Sequence, residues 1–61
     1  DCPAYHIPNP GQERLCRNGN PLSAPGLSPG RYRVYGQEGE FLCLSQWEKG
    51  QLRSVKNFFG G

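Results

Sequence analysis

The stretch GRYRVYGQEGEFLCLSQWEKGQLRSVKNFF, residues 30–59, decides the fold. It reads as three short β-strands joined by two tight turns. The first strand covers residues 31–35, with Tyr32 and Val34 on one side and Arg31, Arg33 and Tyr35 on the other. Val34 is the better core candidate. Gly36-Gln37-Glu38-Gly39 turns the chain. The second strand, residues 40–47, puts Phe41, Cys43, Ser45 and Trp47 on one face and Leu42, Leu44 and Gln46 on the other. Both faces are partly apolar, which predicts a strand inside a barrel-like sheet. Glu48-Lys49-Gly50 turns the chain again, and the third strand runs from Gln51 to about Phe58. Regular alternation there puts Arg53 and Lys56 on opposite faces.

Upstream of this meander the signals are local. Residues 3–7 predict a short edge strand ended by Pro8. Asn9-Pro10-Gly11-Gln12 is a helix start: Asn caps, Pro suits the first helical position, and Gln12 can complete a capping box. The helix is expected over residues 10–17, with Leu15 as its core anchor and Cys16 beside it. Asn18-Gly19 supplies the stop. A helix of two turns is not stable alone, so it must lie on a sheet. Pro21-Leu22 begins a further extended piece, and residues 23–30 form a loop rich in Pro, Gly and Ser. The fold class expected is mainly β, a small pseudo-barrel with one short α-helix.

Size sets the energetic frame. The 61 residues make one domain, and only 34% of them are hydrophobic, so the core must be thin. Such a core supplies roughly 3–5 kcal/mol. The aromatic residues Phe41, Trp47 and Phe58 are expected to build much of it. No apolar run approaches the ~20 residues that span a bilayer, so no membrane partner is expected. The start at Asp1, without Met, is what a piece excised from a larger protein looks like.

Cysteine and histidine invite a metal reading and then argue against it. Cys2, Cys16 and Cys43 are an odd count for a closed disulfide framework and fit a reducing compartment. With His6 they total four potential zinc ligands, but only Cys2 and His6 have ligand spacing. No metal and no cofactor is expected, and Cys16 and Cys43 read as small buried hydrophobes. His6 has no clear nucleophilic partner in sequence, since Cys2 stands near the chain end, and the carboxylates are scattered over turns, where burial or a neighbour rarely tunes their pKa. A binding module rather than an enzyme is expected.

The charge distribution points to the ligand class. Net charge is +2, and the excess sits in residues 31–61, where Arg31, Arg33, Lys49, Arg53 and Lys56 oppose Glu38, Glu40 and Glu48. Five of the seven basic residues are arginine, which grips phosphate oxygens bidentately and stacks on bases. A rival reading is a small β-barrel that holds a Pro-rich peptide on exposed Tyr32, Tyr35 and Trp47. Buried aromatics would speak against it.

Three runs together carry a resemblance. Residues 14–22, RLCRNGNPL, look like the helix, Asn-Gly and strand element of PUA-type RNA-binding domains. Residues 32–42, YRVYGQEGEFL, resemble the closing hairpin of the C-terminal PUA-like domain of bacterial tRNA pseudouridine synthase B. Residues 50–58, GQLRSVKNF, resemble the last strand of that enzyme family. The resemblance covers residues 3–59, although Cys43 and Val55 stand where the family more often has a small residue and a Pro. It implies a PUA-like domain that helps hold tRNA near the T-arm and acceptor stem. The catalytic aspartate of such an enzyme lies in a separate N-terminal domain. The implied partners are therefore tRNA and that catalytic domain, in a cytoplasmic monomer. The implied RNA surface is the helix, the glycine loop after it and a late strand: Arg14, Arg17, Asn18 and Gly19, with Arg53 and Lys56.

Overall fold

A computed structural model describes residues 2–57 of the chain. The elements run β1 (Ala4–His6), α1 (Pro10–Arg17), β2 (Leu22–Ser23), β3 (Gly30–Tyr35), β4 (Phe41–Glu48) and β5 (Gln51–Asn57). The strands form a single curled half-barrel sheet in the order β1-β3-β4-β5-β2. β3, β4 and β5 are the expected antiparallel meander, β2 adds antiparallel to β5, and β1 adds parallel to β3 at the other edge. The mainly β half-barrel with one helix matches the sequence expectation. The expected end of the last strand at Phe58, and that residue's place in the core, lie outside the described residues.

The helix begins and ends where its caps dictate. The Asn9 side chain accepts the Gln12 backbone N–H at 2.8 Å, and Pro10 fills the first turn. At the other end Gly19 takes φ 81°, its N–H bonds to the Cys16 carbonyl, and the Asn20 N–H reaches back to Leu15. That is a Schellman ending. The capping box closes only halfway. The Gln12 amide instead donates to the Ser23 carbonyl at 2.7 Å and accepts from the Tyr5 hydroxyl at 2.8 Å. Gln12 thus ties the helix to β2 and to β1.

The core contains Ile7, Cys16, Leu22, Ala24, Tyr32, Val34, Leu42, Cys43 and Leu52, with Tyr5, Leu27 and Trp47 packed against it. Val34 is fully buried, as its alternation predicts. Leu15 is not the anchor expected of it: it is 41% exposed, and Cys16, 1% exposed, takes that role. At 3.6 residues per turn, Gln12, Glu13, Cys16 and Arg17 form one stripe, and it is this stripe that faces the sheet. Leu15 is rotated about 100° off it.

Two irregularities replace the strict alternation read from the sequence. Val34 pairs with Cys43 but Tyr35 pairs with Phe41, so Leu42 is an extra residue in β4. Leu42 and Cys43 are therefore both buried, and the two-sided apolar pattern of this strand is partly the work of a bulge. The same slip leaves Phe41 42% exposed, with its ring edge-on to Tyr35 at 5.7 Å, rather than in the core. In β5, Leu44 pairs with Lys56 and Ser45 with Ser54, which leaves Val55 as the extra residue. The assumption of regular alternation from Arg53 to Lys56 fails at that point.

The β4–β5 turn is a two-residue hairpin in which Lys49 has φ 51° and Gly50 φ 82°. Two positive φ values define the type I′ turn, whose preferred first residue is Asn. A left-handed residue with a β-carbon costs about 1–2 kcal/mol. Lys49→Asn is therefore expected to raise stability by about 0.5–1 kcal/mol, read as a higher urea midpoint at unchanged m-value. An unchanged or lower midpoint would refute the turn assignment.

Candidate nucleic-acid interface

The surface implied by the resemblance centres on the C-terminal end of α1. Arg14 and Asn18 are exposed there, and Arg17 is directed at the β3–β4 turn. Its Nε–H donates to Glu13 Oε2 at 3.2 Å, one turn earlier, and its Nη2–H donates to Glu40 Oε2 at 2.8 Å. Glu13 uses its other oxygen to accept the Gln37 backbone N–H at 3.0 Å. These contacts fasten the helix to the turn. The Gln37 N–H, and after it the Arg17 guanidinium, hold the Glu13 carboxyl below its ordinary range against the opposing effect of partial burial.

An open groove of about 540 Å³ lies over this junction, lined among others by Glu13, Arg14, Arg17, Asn18, Gln37 and Glu40. A β-carbon on neighbouring Gly36 would sit 2.7 Å from Glu40 Oε1. That oxygen is buried and has no hydrogen-bond partner among the described residues. The groove is thus not a basic cradle. Arg17 is balanced by two carboxylates, and Glu38 adds a third acid to the lining.

Gly19 is open to solvent, with nothing within 4 Å of where a β-carbon would stand. Its N–H is already spent on the Cys16 carbonyl, and the N–H groups of Asn18 and Asn20 close the same helix end. A helix C-terminus also carries the negative end of the dipole, which disfavours phosphate. Gly19 therefore leaves space for a backbone approach but donates nothing to it. The side chains of Arg14 and Asn18 are what this end of the helix offers a polyanion.

The late strand comes close through β2. Leu22 pairs with Leu52 and Ser23 with Gln51, antiparallel. The segment that precedes Leu22, residues 18–21, thus runs toward the stretch of β5 that follows Leu52, which carries Arg53 and Lys56. Arg53 is exposed and, like Arg14, makes no ion pair among the described residues. The other exposed arginine of the meander with a defined role is Arg33. Its guanidinium donates to the Cys2 carbonyl and the Tyr35 hydroxyl and lies 5.7 Å from the Tyr35 ring centroid.

Of the three aromatics in the rival reading, Tyr32 and Trp47 are engaged with backbone carbonyls. Tyr32 is buried and donates its hydroxyl to the Ser28 carbonyl at 2.7 Å. Trp47 is half-buried, with its Nε1–H donated to the Ala24 carbonyl at 2.7 Å. Tyr35 stands apart from both, between His6 at 5.4 Å and Phe41.

Cys16 and Cys43 meet where α1 crosses β4, with their sulfurs 3.4 Å apart. Ser45 Oγ lies 3.3 Å and Ser54 Oγ 3.7 Å from Cys43 Sγ. The Cys16 thiol, followed by the two serines, eases ionisation of Cys43 to about 6 against the cost of burial, while Cys16 is pushed up by the same contact. The two residues are 27 positions apart, and no spacing rule brings them together from sequence. Among the described residues no cluster of three metal-ligating side chains forms, and no helix is long and apolar enough to cross a membrane. No family model matches the sequence, and no curated protein matches it.

Proposed function

We propose that this chain is the tRNA-binding accessory domain of a cytoplasmic tRNA pseudouridine synthase. In this reading it is a PUA-like module that helps hold the T-arm and acceptor stem while a separate N-terminal domain isomerises the uridine. The observation that supports the proposal is the antiparallel β2–β5 pairing, which directs the segment after the helix along β5. It runs the chain that follows Arg14 and Asn18 alongside the strand on which Arg53 and Lys56 stand. The sequence resemblance names these four together with Arg17 and Gly19.

The roles within the set are unequal. Arg14 and Arg53 supply charge to phosphates, and the Asn18 amide can bond a phosphate or a ribose hydroxyl. Lys56 is a second basic residue on β5. Arg17 fixes the helix end against the Gln37–Glu40 turn, and its contact with RNA is secondary. Double-helical RNA is read mainly through its backbone and shape, so a module built this way contributes affinity and register rather than base choice.

Titration of the isotope-labelled chain with a tRNA T-arm hairpin tests the proposal. Amide shifts are expected in residues 14–19 and 51–57. Perturbation confined to His6, Tyr35 and Phe41 would overturn it and return the aromatic edge as the binding surface.

A further inference from the structure

We propose that Cys16 and Cys43 are a reversible redox clamp, closing to a disulfide that locks α1 onto β4. The inference is independent of the RNA reading. Its basis is geometric: two thiols, each 1% exposed, face one another where Cys16, the buried residue of the helix, enters the core. Their sulfurs are already at 3.4 Å. No third metal-ligating group joins them among the described residues, so the pair has no metal-site explanation there.

The environment makes the two sulfurs unequal. Cys43 Sγ accepts from Ser54 Oγ and lies within hydrogen-bond reach of Cys16 Sγ and Ser45 Oγ, whose hydrogens can turn to its thiolate. It is the attacking sulfur, and Cys16 is the resolving one. The oxidant class is a hydroperoxide, small enough to enter when the helix lifts. Outside Cys16, α1 is held by Gln12, Glu13 and Arg17 through partly exposed hydrogen bonds and ion pairs, the kind of contact that opens locally.

Cys43 thiolate attacks the terminal peroxide oxygen. The O–O bond breaks, and the departing alkoxide takes up the proton that Cys43 lost. Cys43 is then a sulfenic acid. The Cys16 sulfur attacks the Cys43 sulfur, the S–S bond forms and the S–O bond breaks. The leaving hydroxide takes the Cys16 proton as water. Two electrons pass from the thiol pair to the peroxide, which ends as one alcohol and one water. Thiol exchange with a low-molecular-weight dithiol restores the open state.

The test uses the Cys2→Ser chain, because the half-exposed Cys2 thiol would otherwise react first. Among the described residues Cys2 is hydrogen-bonded through its carbonyl, to Arg33, which the substitution keeps. Stoichiometric tert-butyl hydroperoxide is expected to remove both remaining thiols and lower the mass by two hydrogens. After trypsin, the peptide Leu15-Cys16-Arg17 should be joined to the peptide that starts at Val34. Melting should shift upward by on the order of 10 °C, because the bond closes a loop of 27 residues, and dithiothreitol should reverse the shift. Oxygen addition to either cysteine without the joined peptide would overturn the clamp. So would thiols that remain titratable, or a melting temperature that falls on oxidation. Adding Cys16→Ala to the same chain should abolish the upward melting shift on oxidation, and an equal shift in that variant would also refute the assignment.

Discussion

Leu52→Ala should leave most of the chain unfolded at 25 °C. Leu52 is 1% exposed and sits where the sheet is most dependent on a single side chain. Across β4 it pairs with Trp47, and across β2 with Leu22, itself 2% exposed. β2 has only two residues, so its place at the edge rests on those neighbours rather than on a long ladder. Truncating a buried leucine costs about 2–5 kcal/mol, the lost transfer energy plus the cavity left behind. The whole core of a domain this size supplies roughly 3–5 kcal/mol, so the two quantities nearly cancel. Urea titration followed by circular dichroism should show a wild-type transition and, for Leu52→Ala, a baseline already near the unfolded value. Val55→Ala is the matched control in the same strand. Val55 is 46% exposed and is the unpaired residue of a bulge, so its truncation should stay within about 0.5 kcal/mol. Equal midpoints for the two variants would mean that the β2–β5 seam does not carry the core.

Local chemistry made most of the architecture legible. Asn9, Pro10 and Gly19 mark both ends of the helix because capping is decided within four residues. The meander is readable because Tyr32 and Val34 alternate with arginines and because glycines punctuate the turns. What escaped is set by distant partners. The rotation of a two-turn helix is chosen by what it packs on, so Leu15 looked like the anchor and Cys16 was. The bulges at Leu42 and Val55 are single skipped residues, and nothing in their neighbours' chemistry announces them. Gln12 has the capping-box position but finds better partners in Tyr5 and Ser23, seven and eleven residues away.

The candidate site was legible in position and less so in role. Arg17 looked like a phosphate ligand because the sequence gives no sign of Glu40, 23 residues on, reaching its guanidinium. Gly19 looked like a place for a phosphate to meet backbone, but the Schellman ending consumes the amide that made it attractive. A pattern of residue types predicts which cations are near one another. It does not predict which of them the fold has already neutralised.

That distinction gives the sharpest functional expectation. A cation held between two carboxylates must give up those contacts before it can gain a phosphate, and the exchange returns little net free energy. Arg14 and Arg53 have no such partners among the described residues. Arg14→Ala and Arg53→Ala should each weaken binding to a T-arm hairpin on the order of tenfold near 0.1 M salt. The double variant should lose on the order of a hundredfold, with its log–log salt slope reduced by about two. Arg17→Ala should move affinity far less, because its guanidinium is already engaged by Glu13 and Glu40, and any loss should leave the salt slope nearly unchanged. Fluorescence titrations from 50 to 200 mM salt separate these cases. A full-size loss of both affinity and slope in Arg17→Ala, with Arg14→Ala and Arg53→Ala silent, would place the polyanion in the Glu13–Glu40 groove and overturn the division of roles.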